Sequence, residues 1–580
     1  MSVSRRALTT ALAFISFVAA CSSDKTTAPS APNPVLGASA SAKSASSVQV
    51  TFASVAGDVS YDLERAEGAT GTFAVVTNIA APATAGVVNY TDANLKVSTL
   101  YRYRLYANKN SLKSIASGEF TATTLAFGNA ATTINTDITA NRTLYADTAY
   151  TLQGFIHVAN GATLTIQPGT TIKGDFNTVG SSLFVLRGAK IQAVGTADAP
   201  IVFTSSRAAG QRQPGDWGGL LIIGNAIDNR SGVVNIEGTG TDGATVAGGK
   251  NYFIQYNGGT VATDNSGTLQ YVRVEFAGYA TLIDQEFNAF TFAAVGSGTR
   301  VSYTEAMAGL DDSYEFFGGG FDIDHIVAYE TADDMFDMSE GWSGRMQFLI
   351  GYNSVQLTPR TGAGFYSVDI EGIENDGCNG TGCDLGFNTA PFTVPLVANF
   401  TMIGCGDLAC SGTGGGYGLM LRRGTGGFYV NGVVSRWARA GISLRDSLTF
   451  VRAGSAATPD LATTDLAVRN ILFSEVPSVF QASSATQNAF DLAGNSLVNS
   501  SALTASLFTL IPATGVAPTS PSSFDFSPAA NSPIATGGMA TFTGKILTKA
   551  GSFVVPTAYM GAVAPGGTKW WQGWTAYTRN

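Results

Sequence analysis

Two acidic runs carry the strongest chemical signal in the chain. Asp311-Asp312-x-x-Glu315 recurs as Asp333-Asp334-x-x-Asp337, 22 residues further on. If 22 residues make one turn of a coil, equivalent carboxylates stack about 5 Å apart and repel unless something neutralises them. Calcium suits such a ladder, because it takes six to eight oxygens from carboxylates and turn carbonyls. Asp322 and Asp324 lie between the two copies, and Asp369, Glu371, Glu374 and Asp376 follow on what the spacing makes the next turn. Two other readings use the same residues. One is a solvated acidic edge whose side chains bond turn backbone, as Asp commonly does. The other is catalysis, since glycoside hydrolysis needs two carboxylates at a set separation.

Other side chains nearby could serve a ligand. Arg422-Arg423 is a candidate pair for binding a ligand or abstracting a proton; the alternative is a rung-edge pair capping carbonyls or neighbouring acids. Trp342 and Tyr352, with Phe316, Phe317, Phe336 and Phe348, would stack on sugar rings if they face outward; inward aromatic files are the alternative. Two histidines are present, His157 on an alternating strand and His325 beside Asp324. No catalytic residue is assigned. Gly414–Gly416 and Gly424–Gly427 are tight turns and not phosphate loops, because no Gly-Lys-Ser/Thr occurs.

Cys378, Cys383, Cys405 and Cys410 form two Cys-x₄-Cys units whose members repeat at 27 residues. Two disulfides are expected, each closing its own loop or stapling neighbouring loops; a Cys₄ metal site is the other option.

The elements that must position these groups are short and numerous. Charged residues are 13% of the chain, about half the usual share, and glycine reaches 68 residues. The net charge of −9 argues against nucleic acid as a partner. Residues 35–126 hold alternating runs such as Ser47-Val48-Gln49-Val50-Thr51-Phe52 and Tyr101-Arg102-Tyr103-Arg104-Leu105-Tyr106, which predict a β-sandwich. From 127 to 580 short apolar strands recur without helical period. Val158-Ala159-Asn160-Gly161-Ala162-Thr163-Leu164 returns as Val185-Leu186-Arg187-Gly188-Ala189-Lys190-Ile191, an offset of 27. Repeats of this length predict a β-solenoid, in which each turn buries its inward face only by stacking.

Three resemblances add expectations. Arg5-Arg6, the apolar run Ala11–Ala20 and the ending Val18-Ala19-Ala20-Cys21 resemble a bacterial lipoprotein leader and lipobox. That implies a signal peptide over 1–20, lipid on Cys21 as the membrane partner, and a lipidated flexible tether over 21–34. It also implies an outer-membrane location, with periplasmic or outer face left open. Tyr90-Thr91-Asp92-Ala93-Asn94-Leu95 with Thr99 and Tyr101 resembles a fibronectin type III domain, with Tyr101 as its corner tyrosine. Leu164-Thr165-Ile166-Gln167-Pro168-Gly169, Gly215-Asp216-Trp217-Gly218-Gly219 and Asp311-Asp312-Ser313-Tyr314-Glu315 resemble right-handed parallel β-helix proteins of the bacterial surface. Trp570, Trp571 and Trp574 are expected to form an aromatic C-terminal cap that closes the open end of the coil, whose strand edges need cover. The expected fold is all-β: a fibronectin-like sandwich, then a right-handed parallel β-helix. The expected function is a lipid-anchored binding or adhesion module for glycan or protein, possible calcium being its only cofactor. Alternatives are a polysaccharide lyase or glycoside hydrolase using residues 311–337, and a structural surface protein. The Gly-His-Gly and Arg-Ile-Lys segments of polygalacturonases are absent from the sequence.

Overall fold

A computed structural model describes residues 30–577 apart from 55–59, 127, 129, 241–252, 283–284, 365–368, 455, 482–489 and 517. The leader, Cys21 and most of the tether lie outside the described residues.

The N-terminal part is a β-sandwich of a three-stranded and a five-stranded sheet. Alternation places its core: Ser47–Ala53 buries Val48, Val50 and Phe52, and Leu100–Lys109 buries Tyr101, Tyr103, Leu105 and Ala107. The Tyr101 hydroxyl accepts the Lys96 N–H at 2.9 Å, the corner bond anticipated from the sequence.

Parallel strands dominate the rest, forming a 15-stranded and a 9-stranded sheet whose neighbours follow chain order. This is a parallel β-helix. The 27-residue repeat is one turn of it, with Thr163 paired to Lys190. So is the 22-residue repeat, with Glu315 paired to Asp337. On Tyr314–Gly319 the side chains alternate: Tyr314 and Phe316 point in and are fully buried, while Glu315 points to the other face. Inward rings stack along the axis, Phe290 on Tyr314 at 4.9 Å and Tyr314 on Phe336 at 5.3 Å.

Longer strands of the larger sheet turn a corner at one registered position. Tyr271, Tyr303, His325, Phe348, Asn399, Asn431 and Asn470 all have φ between 50° and 66°. The pairings on either side put these seven at equal height in successive turns. Left-handed backbone disfavours most L-residues, with Asn the cheapest exception. Here ring stacking offsets the cost in four of the seven: Tyr271–Tyr303, Tyr303–His325 and His325–Phe348 lie 4.6, 4.5 and 4.8 Å apart.

The C-terminal tryptophans do not close the end of the coil. Trp574 sits against Tyr271 and Tyr303, and Trp570 against His325, on the flank of central turns. Ala576 N–H and Tyr577 O–H add bonds to the buried carboxylates of Glu305 and Glu330.

Candidate functional site

The smaller sheet carries the site. Its outward residues form a vertical file, Thr291, Glu315, Asp337, Glu374, Met420 and Ser443, each in register with the next. A second file lies in the turns entering these strands. Asp312 Oδ1 accepts the Asp334 N–H at 2.8 Å, and Asp334 Oδ1 accepts the Glu371 N–H at 2.9 Å. Asn288 Oδ1 heads the file, accepting the Asp312 N–H at 3.2 Å. Each turn carboxylate therefore uses one oxygen on the backbone of the next turn and keeps the other for something else.

Together these residues line a cavity of about 730 Å³. Among the described residues its wall holds thirteen carboxylate side chains and four arginines, so acidic groups dominate it. Asp311, Asp312 and Glu315 are under 10% exposed, as are Asp334, Glu371 and Glu374. Asp333 and Asp337 are half-buried. Oxygens from four overlapping trios of these carboxylates lie within 4.8 Å of one another. At an effective dielectric of about 20, two full charges at that distance repel by roughly 3 kcal/mol. Burial is the first cause, and mutual repulsion the second, that push Asp311, Asp312, Glu315, Asp334, Asp337 and Glu371 well above the usual carboxylate range. Glu374 is pushed up to about 7, burial and Asp376 outweighing Arg422 and Arg423.

All six residues read as a calcium ladder therefore meet in one place, and Asp369, Glu371, Glu374 and Asp376 join them. Arg422 and Arg423 line the same cavity, held by carboxylates: Arg422 bonds Asp376 at 2.9 Å and also Glu374, and Arg423 bonds Asp376. Those neighbours push the Arg422 pKa upward despite its burial, so it stays charged.

Two expected ligand-stacking residues require correction. Trp342 is fully buried and lies 4.8 Å from the Phe316 ring, and Tyr352 is 1% exposed and packs on Phe524 at 4.8 Å. Each fills interior space where burying a large ring stabilises the fold, so neither presents a face to a sugar. Asp322, Asp324 and His325 also lie elsewhere, on the larger sheet. Asp322 pairs with Arg345 at 2.7 Å, and Asp324 with Arg300 and with His325 at 2.6 Å. His157 is buried, with Nδ1 2.9 Å from Asp137 Oδ1.

Sequence reasoning missed Glu286, Glu237, Arg230, Glu340 and Arg445 in the wall. Arg230 arrives from a long excursion between turns and donates to Glu340 at 2.6 Å across 110 residues, a meeting no local spacing encodes. Arg445 was more accessible to reading, since it directly follows the strand Ala440–Leu444 that continues the stack. The cysteines close two small loops, Cys378–Cys383 and Cys405–Cys410. Gly377 and Asn379 beside the first, and Thr413 and Gly414 beyond the second, line the cavity.

The coil of parallel strands agrees with the family to which comparison assigns the chain. The sequence family described as "Pectate-lyase like beta helix domain" matches residues 136–506, more than half the chain, and the protein belongs to that family. No curated protein matches. Among solved structures, pectate lyase Pel3 from Pectobacterium carotovorum is similar at 10% identity, covering 56% of this chain and 87% of its own, with a TM-score of 0.16. An Fn3-like protein from Clostridium thermocellum is similar at 25% identity over 16% of this chain and 95% of its own, with a TM-score of 0.15.

Proposed function

We propose that the cavity binds a divalent cation, calcium fitting best, and through it an acidic glycan, making this β-helix a cation-dependent glycan-binding module. The carrying observation is the set of buried carboxylate trios. Ligands on one calcium lie 2.3–2.6 Å from it, hence within about 5 Å of each other. Hard, oxygen-only donors suit calcium over transition metals. Among the described residues Glu371 Oε1 and Asp337 Oδ1 are buried without a hydrogen-bond partner, and a cation would coordinate them. A bound cation converts an anion-repelling wall into one that accepts sugar carboxylates, with the arginines at one end completing the grip.

A lyase is the second reading, favoured by the arginines beside the carboxylates and by the family's character. Against it, Arg422 is held charged, which suits binding an anion better than removing a proton. Export supports either reading: two disulfides fit an oxidising compartment, and the leader-like start with Cys21 fits lipid anchorage at the outer membrane.

The test is retention of the chain on immobilised uronate-rich and neutral glycans, with calcium and with EDTA, while monitoring unsaturated uronate release. Retention on acidic glycans with calcium alone, without release, is expected. Release of product would establish the lyase. Equal retention on neutral glycans in EDTA would overturn the proposal.

A further inference from the structure

We infer that the cavity holds two divalent cations at once, one among Asp312, Glu315 and Asp337 and one among Asp333, Asp334 and Glu371. This rests on the cation reading above and extends it. Each trio offers one oxygen per residue within 4.8 Å of the others, and the two trios share no residue. A single ion cannot serve both, because calcium holds its oxygens at 2.3–2.6 Å and six separate carboxylates from three turns do not converge on one point.

The unpartnered oxygens select this division. Asp337 belongs to the first trio and Glu371 to the second, and each has an oxygen, Oδ1 and Oε1 respectively, that is buried with no hydrogen-bond partner among the described residues. Glu371 is 2% exposed, so its free oxygen has the cavity as its outlet. The other division into separate trios, Asp311–Asp312–Asp333 and Asp334–Asp337–Glu374, leaves Glu371 Oε1 unsatisfied. The turn file also orients the second trio, since Asp334 is fixed by the Glu371 N–H and has one oxygen left over.

The test is calorimetric titration of calcium into the full chain after chelation and dialysis, at about pH 8, where carboxylates compete least with protons. Two calcium ions per chain are expected. Glu371→Gln and Glu315→Gln should each leave one, and the double variant none. Gln at 315 keeps an oxygen for the Asn288 amide that Glu315 now accepts. Circular dichroism of each variant must match that of the unaltered chain. One ion in the unaltered chain overturns this inference and spares the single-cation reading. Loss of both ions from one substitution in a folded variant overturns it too. No ion at all overturns both.

Discussion

Acidification in the presence of a chelator should stabilise this protein, the opposite of ordinary behaviour when paired carboxylates lose their charge. The perturbation is a change from about pH 8 to about pH 5.5 in EDTA, a range chosen to straddle the raised pKa of Glu374. Glu374 is buried and has a folded pKa of about 7 against an ordinary value of 4.5. A carboxyl with a raised folded pKa contributes stability that is whole below its unfolded pKa and is lost as pH rises through the folded one. Well above pH 7 the loss from Glu374 alone is about 3 kcal/mol, of which about 2 kcal/mol returns at about pH 5.5. A helix of roughly 450 residues unfolds with an entropy near 1 kcal/mol/K, so that share raises Tm by about 2 °C if unfolding is cooperative. Asp312, Glu315, Asp334 and Glu371 shift the same way and add to it. Saturating calcium, at about a thousand times its Kd, should add about 4 kcal/mol per bound ion at the higher pH and less at the lower, where protons compete. Differential scanning calorimetry at both pH values, with calcium or with EDTA, reads all four states. A Tm that falls on acidification in EDTA, together with a Tm that calcium leaves unmoved, would refute the reasoning.

Trp342→Ala should cost about 3–5 kcal/mol, seen as a lower Tm, while glycan retention per folded molecule stays unchanged. Lost retention at constant Tm would return Trp342 to the binding surface. Tyr101→Phe should lower the denaturant midpoint of the sandwich by an amount worth about 1 kcal/mol, because the Lys96 N–H loses its acceptor; an unchanged midpoint would deny the corner bond a structural role.

The stack was legible because identical chemistry returns at one-turn intervals. Gly161 and Gly188 mark one such interval, and Asp311 and Asp333 another; the latter was enough to place six carboxylates in one cavity. The aromatics were harder. Alternation fixes which side of a strand a ring occupies only once the strand's first residue is known, and Trp342 lies beyond the strand Asp337–Ser339 in a turn that folds inward. The corner file was half legible. Asn399, Asn431 and Asn470 are natural left-handed residues, but Tyr271, Tyr303, His325 and Phe348 hold the same conformation against their propensity, because stacked rings stabilise it. Trp570 and Trp574 were misplaced for the same reason: without that ring file, the coil's end was the apparent surface needing cover. Arg230 meeting Glu340 depends on the path of a long excursion, which residue spacing does not specify.

The two faces of the coil handle stacked acid in opposite ways, and the contrast isolates what is special about the cavity. On the larger sheet Asp322 stands in register between Arg300 and Arg345, and Asp324 is bonded by Arg300 and His325. There each carboxylate has a cation one turn away, so the acid is neutralised within the sheet. On the smaller sheet the turns above and below Asp337 supply Glu315 and Glu374, more acid, and Arg422 enters one turn beyond, bonding Glu374 and Asp376. Side-chain mobility cannot relieve the crowding, because the backbone bonds to Asp312 and Asp334 fix those carboxylates and the spacing between strands sets their separation at about 4.8 Å. Relief must come from a proton or from a cation. Protons suffice to hold the fold but leave carboxyl groups that attract no anion. A cation would relieve the same repulsion and leave coordination positions facing the cavity, which is why the proposed acidic-glycan site is tied to the register that crowds the acid.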